Sequence, residues 1–107
     1  MAASASLNQK EIRKLFKEAR RVLKHPCLDI LIAPSSSEQG RLLVVTPGRI
    51  GTAPERNKIR RRLKALFYEE NRHEHPYDLV LFIKKEALAL SYDELKALVL
   101  PYWGSIT

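Results

Sequence analysis

Residues Tyr77 to Ile83 form a nearly unbroken apolar run, interrupted by Asp78 alone. A run of this kind is expected of a strand covered on both faces, so the chain has to supply packing layers above and below a sheet. Apolar positions spaced three and four apart supply the helices for those layers. Asn8 is placed to cap a first helix, with Glu11 adding favourable charge in its first turn. Ile12, Leu15, Phe16, Ala19, Val22 and Leu23 build one stripe along it, and Pro26 ends it. Leu28 to Ala33 reads as a strand, Pro34 to Gly40 as a polar turn, and Leu42 to Val45 as a second strand that forms a hairpin with the first. Thr46 to Gly51 is a loop. Thr52 and Glu55 make a capping box with Pro54 in the first turn, opening a helix that runs to the low seventies with Ile59, Leu63, Leu66 and Phe67 buried. Ser91 and Glu94 make another capping box, stapled by Leu90 and Leu95; Leu95, Leu98 and Val99 face the core and Pro101 marks the end. The predicted order is helix, strand, strand, helix, strand, helix. This is an α+β fold, a small α/β sandwich with helices against a mixed sheet.

The chain has 107 residues, 45% of them hydrophobic, which is enough for one compact domain. Residues 1–7 carry no pattern and read as a flexible tail, leaving residues 8–107 as a single domain. The single cysteine, Cys27, excludes an internal disulfide and a paired-cysteine zinc site, as suits a reducing cytoplasm. No apolar run reaches membrane-spanning length, so a soluble protein with no membrane partner is expected. The formal charge is +7 and is unevenly spread. Residues 1–64 hold 15 basic and 5 acidic groups, net +10, and residues 65–107 hold 4 and 7, net −3. One surface should therefore attract a polyanion while another stays neutral or acidic.

The densest charge lies between Arg56 and Lys64, where Arg56, Lys58, Arg60, Arg61, Arg62 and Lys64 make six of nine residues cationic and none is acidic. At about 100° per residue, Asn57, Arg60, Arg61 and Lys64 share one side of the helix. Arg56 borders the buried stripe, and Lys58 and Arg62 take the far flank. Arg donates in a planar fork that matches two phosphate oxygens, Lys acts as a point charge, and Asn57 both donates and accepts. With no acid to balance them these cations repel one another, which argues for nucleic-acid binding over a merely solvated face. The first helix is also cationic, through Lys10, Arg13, Lys14, Lys17, Arg20, Arg21 and Lys24.

The stretch Gly51-Thr52-Ala53-Pro54-Glu55-Arg56-Asn57-Lys58-Ile59-Arg60-Arg61-Arg62-Leu63-Lys64 resembles the signature of the bacterial ribonuclease P protein family. That pattern opens Gly-x-Ala-x-x-Arg-Asn-Arg and continues with an aliphatic residue, Lys-Arg and a further Arg. Gly51, Ala53, Arg56, Asn57 and Arg61 match identically, and Lys58, Arg60 and Lys64 exchange one cation for another. The resemblance extends to Phe16 in the basic first helix, to Asp78-Leu79-Val80, and to Leu90, Ser91, Glu94 and Leu95. Thr46 to Arg49 depart from the family's Ser-Lys-Lys, Ala65 replaces an acidic or amide residue, and the first strand lacks an aromatic.

The resemblance implies an RNA catalyst that removes the 5′ leader of precursor tRNA, with the protein as accessory subunit. It implies docking of Arg56, Asn57, Lys58, Arg60, Arg61, Arg62 and Lys64 on the catalytic RNA. It also implies a groove between the first helix and the sheet for the single-stranded leader, with Phe16 as a stacking platform, Arg13, Lys17 and Arg20 beside it, and Ile30 and Ile32 as strand-face candidates. The implied fold is ribosomal protein S5 domain 2-like, with a left-handed βαβ crossover where pattern reasoning favours the right-handed one.

No protein side chain is expected to perform phosphodiester chemistry, and no cofactor or obligate protein partner is expected. His25, His73 and His75 lack a nucleophile or ligand spacing, so no metal site is expected in the protein; Mg2+ is expected at the RNA active site, polarising phosphate and activating water. Asp29 and Asp78 either hold a hydrated cation near RNA or solvate strand ends. The rival readings are a ribosomal or ribosome-associated RNA-binding protein, a DNA-binding regulator that inserts helix 52–72 into the major groove, and a protein-only nuclease.

Overall fold

The computed structural model describes residues 9–35 and 38–104. The predicted tail and the Asn8 cap lie outside the described residues. Among the described residues three helices, α1 (Gln9–Glu18), α2 (Ala53–Glu69) and α3 (Tyr92–Gly104), accompany four strands, β1 (Arg20–Lys24), β2 (Leu28–Pro34), β3 (Leu42–Val45) and β4 (Tyr77–Ile83). Single 3-10 turns at Gly48–Ile50, Arg72–Glu74 and Lys85–Ala89 fill the connections. The strands form one mixed sheet in the order β1-β2-β4-β3, antiparallel except for the β3–β4 pair.

The central place of β4 follows from its composition. Its seven residues pair with β2 along their whole length, and Leu79 to Phe82 pair with β3 on the other edge. Alternate side chains go to opposite faces. Leu79, Leu81 and Ile83 join Leu28, Ile30, Ile32 and Leu42 under α2 and α3, where Ile59, Leu63, Leu66, Phe67, Leu95, Val99 and Trp103 complete the main core. Val80 and Ala33 meet Leu15 of α1 on the second face, with Leu31, Leu43, Val45 and Phe82 half-buried around them.

Three expectations are corrected. The first helix stops at Glu18, and residues 20–24 are a strand. A register shift between Arg21 and Leu23 lets Val22 and Leu23 both pack on the main core, so a bulge leaves adjacent apolar residues that look helical in sequence. Pairing also covers the outer edge of β2, which would otherwise lie bare. Second, β2 and β3 are not a hairpin, because β4 lies between them. β3 and β4 are parallel, and parallel neighbours need a long crossover, which α2 supplies. Third, α3 continues through Pro101 to Gly104. The extra turn buries Trp103 edge-on to Phe67 at 6.3 Å, an aromatic burial large enough to offset an imperfect last turn.

Gly40 is required by a close approach: a Cβ there would lie 2.2 Å from the carbonyl oxygen of Tyr77 and 2.6 Å from that of His75. The tight crossing brings Arg41 against the start of β4, where its amide donates to Asp78 Oδ1 at 2.8 Å.

Candidate RNA interface

Local chemistry positions the basic helix. The Thr52 amide donates to Glu55 Oε1 at 2.8 Å, and the Glu55 amide donates to Thr52 Oγ1 at 3.3 Å, so the predicted capping box is closed. The hydrogen bonds from Thr52 hold the Glu55 carboxyl below its ordinary range. A Cβ at Gly51, just ahead of the cap, would meet the side-chain ends Leu88 Cδ1 at 2.6 Å and Glu55 Oε1 at 2.9 Å, so these side chains would have to shift. Ile59, Leu63, Leu66 and Phe67 are buried as predicted, which fixes the rotation of α2 about its axis.

The cations then divide by task. Asn57, Arg60, Arg61 and Lys64, predicted to share a side, line one groove of about 480 Å³ with Leu42, Leu43 and Val44 of β3. Arg60 Nη1 donates to Asn57 Oδ1 at 2.7 Å, which aims the guanidinium and leaves the Asn57 amide group to donate outward. Among the described residues no carboxylate lies within ion-pair distance of Arg60, Arg61 or Lys64. Among the described residues β3 pairs with β4 alone, so its outer backbone edge borders the same groove. Arg56 and Arg62 act inward. Arg56 Nη1 donates to the carbonyls of Gly48 at 3.0 Å and Gly51 at 2.5 Å, bracing the loop ahead of α2. Arg62 Nη1 donates to the Leu90 carbonyl at 3.1 Å, tying α2 to the approach to α3. Lys58 is exposed on the far flank, beside Glu55 and Arg62.

The second face of the sheet carries the other predicted surface. Phe16 is 39% exposed, and its ring lies 5.7 Å from that of Phe82. Arg13 and Lys17 are exposed on the same helix. Ile30 and Ile32 do not belong to this surface: at 0% and 3% exposure they point into the main core, because alternate residues of a strand take opposite faces. Leu31, Leu43, Val45 and Phe82 stand where those two were expected. On this face the strand aromatic is Phe82 of β4, whereas β2 has none. Arg20 stands opposite Ile32, on the main-core side, whereas Arg21 stands opposite Leu31 and so reaches the second face.

Both strand aspartates are engaged within the chain. Asp29 accepts from Lys84 Nζ at 3.0 Å and from the His25 amide at 3.3 Å, and Arg21 lies at 3.9 Å. Burial raises this carboxyl, but the Lys84 and His25 hydrogen bonds and the Lys84 and Arg21 charges together hold it below its ordinary value. Asp78 accepts from the amide of Arg41 and, at 3.3 Å, from its Nη2, while Arg41 Nη1 reaches Glu11 of α1. Both carboxylates thus serve strand-end partners within the chain. His25 Nδ1 accepts from the Cys27 amide at 3.0 Å, and the His73 ring packs on Tyr68 at 4.8 Å. Among the described residues no group of three His, Cys, Asp or Glu is placed to hold a metal ion, and no helix is long and apolar enough to cross a membrane.

Comparison with known proteins gives a consistent result. The family model described as Ribonuclease P matches residues 1–107. The chain is 34% identical over 102 residues to the ribonuclease P protein component of Photobacterium profundum, covering 94% of this chain and 86% of that one. In structure it is similar to the RNase P protein from Thermotoga maritima, with a TM-score of 0.78, 20% identity and coverage of 94% and 96%. It is also similar to the RNase P protein of Staphylococcus aureus, with a TM-score of 0.81, 14% identity and coverage of 94% and 92%. These two likenesses establish the fold, an α+β sheet-and-helix arrangement. With a family match along its whole length and a curated relative above 30% identity, this chain belongs to the ribonuclease P protein family, the protein component of the endoribonuclease that processes tRNA 5′ ends.

Proposed function

We propose that the protein docks on the catalytic RNA of ribonuclease P through the α2 groove and holds the 5′ leader of precursor tRNA against the second face of the sheet. One observation carries the docking: Asn57, Arg60, Arg61 and Lys64 converge on a single groove with no carboxylate to neutralise them among the described residues. A rigid helix with uncompensated cations gains affinity from each phosphate it neutralises, through release of counterions. The leader assignment rests on a half-exposed pair of aromatic rings over an apolar sheet face, flanked by Arg13, Lys17 and Arg21, a surface on which unpaired bases stack and whose edges track a phosphate backbone.

The protein's side chains bind and orient, and none acts on the phosphodiester. Mg2+ held by the RNA supplies the chemistry, polarising phosphate oxygens and activating water. The single cysteine and the RNA partners suit a cytoplasmic setting.

Reconstitution tests this reading. Added to a bacterial ribonuclease P RNA at low magnesium, the purified protein is expected to raise the rate of precursor cleavage, with a benefit that fades as monovalent salt rises. No acceleration with any such RNA, including that of the same host, means the docking assignment is wrong.

A further inference from the structure

α1 has ten residues, a length at which an isolated helix is marginal, and it meets the sheet through a narrow patch. Leu15 packs on Ala33 and Val80, and Phe16 leans on Phe82. Neither contact is directional, so neither by itself sets the tilt of the helix or the height of Phe16 above the sheet. Arg41 is directional. It sits immediately before β3, and its fork joins two carboxylates from different elements: Nη1 donates to Glu11 in the first turn of α1, and Nη2 donates to Asp78 at the start of β4. Asp78 is 3% exposed and is held a second time by the Arg41 amide, so one end of the link is fixed in the central strand. Glu11 precedes Phe16 by five residues, about 7.5 Å along the helix axis. A fork fixed at one end therefore determines where the first turn of α1 sits, and through it where the Phe16 ring lies relative to Phe82.

We propose that Arg41 is a positioning residue for the leader cleft, locking α1 onto the sheet through the Glu11–Arg41–Asp78 link so that Phe16 and Phe82 present one stacking surface. This rests on the leader-cleft reading above and adds the element that shapes the cleft. Arg41 adjoins Leu42 but is not itself among the residues that line the α2 groove, so affinity for the catalytic RNA is read out separately from the leader cleft.

The test compares Arg41→Lys, Glu11→Gln and Phe16→Ala in the reconstituted holoenzyme. Arg41→Lys keeps a charge but loses the fork, and Glu11→Gln alters the α1 end of the link while leaving Arg41 and Asp78 in place. Each is expected to lower the ratio of precursor to mature tRNA affinity by roughly three- to tenfold, the size of one ordinary hydrogen bond's net contribution, with affinity for the catalytic RNA unchanged within about twofold. A second readout needs no RNA. The chain has three phenylalanines, so uniform fluorophenylalanine labelling gives fluorine signals from Phe16 and Phe82 in the cleft and from Phe67 in the main core as an internal control. The variants are expected to shift or broaden the two cleft signals and spare Phe67. If Phe16→Ala lowers the ratio while both link variants leave ratio and cleft signals intact, the proposal is overturned and the leader cleft stands. If Phe16→Ala itself leaves the ratio intact, the leader cleft falls and the proposal falls with it. Equal losses for precursor, mature tRNA and catalytic RNA, with Phe67 also displaced, mean that Arg41 is merely structural and overturn the proposal as well.

Discussion

The two faces of the sheet are built on opposite plans. Under α2 and α3 the sheet meets a thick layer of buried leucines, isoleucines and aromatics, and the cations of α2 stand on a helix that has no freedom to rotate. Under α1 the buried apolar cluster among the described residues is Leu15, Ala33 and Val80, and half-covered Ala19, Leu31, Leu43, Val45 and Phe82 remain at the rim. A docking surface for a folded RNA benefits from rigidity, because each fixed cation loses little entropy on meeting its phosphate. A surface for an unpaired strand of varying sequence benefits from open apolar area that any base can cover.

Core truncation tests this contrast with the largest effect. Leu63→Ala, beneath the basic helix, is expected to cost about 3–5 kcal/mol in chemical denaturation, whereas Leu15→Ala, beneath α1, should cost about 2 kcal/mol because a short helix settles into the gap. Equal losses would mean that α1 is packed as firmly as α2. Next in size is the division among the cations. Replacing Arg60, Arg61 and Lys64 together by Ala should weaken assembly with the catalytic RNA by about a hundredfold or more and make the logarithmic salt slope shallower by about 2–3. Arg62→Ala should leave that slope nearly unchanged and cost about 1 kcal/mol of stability, since its guanidinium serves the Leu90 carbonyl. A full unit of slope lost with Arg62 would place it among the RNA contacts.

The smallest effect concerns Asp29. Its folded-state carboxyl lies below the ordinary value, so its contribution is fully present above the unfolded pKa of about 3.9 and is lost as pH falls through the lowered folded value. Asp29→Asn should therefore reduce stability at neutral pH and flatten the acid limb of the unfolding midpoint. An unaltered acid limb would mean that the Lys84 and Arg21 pairings contribute nothing.

What was legible in the sequence was local. The capping boxes, the buried stripe of α2 and the shared side of Asn57, Arg60, Arg61 and Lys64 depend on residues within a turn or two of one another, and all of these appear in the structure. Strand β1 was hidden because its bulge sets Val22 beside Leu23 on one face, a spacing that a helix also produces. The sheet order was hidden because which strands pair is decided by packing between distant segments. The choice between Ile30 and Leu31 as cleft residues has the same origin: strand alternation separates the two sets but does not say which helix covers which. Arg41, 30 residues from Glu11 and 37 from Asp78, belongs to no local pattern.

The outer edge of β3, unpaired among the described residues, has a consequence for the protein when it is alone. An unpaired strand edge is a template for another strand, and two copies of this chain meeting edge to edge would extend the sheet across the interface. Here the edge is four residues long and lies beside Arg60, Arg61 and Lys64, so an approaching copy brings its own cations against them. If these cations recruit polyphosphate as proposed, the same charge opposes edge-to-edge self-association, and salt, which screens both, would weaken the two effects together.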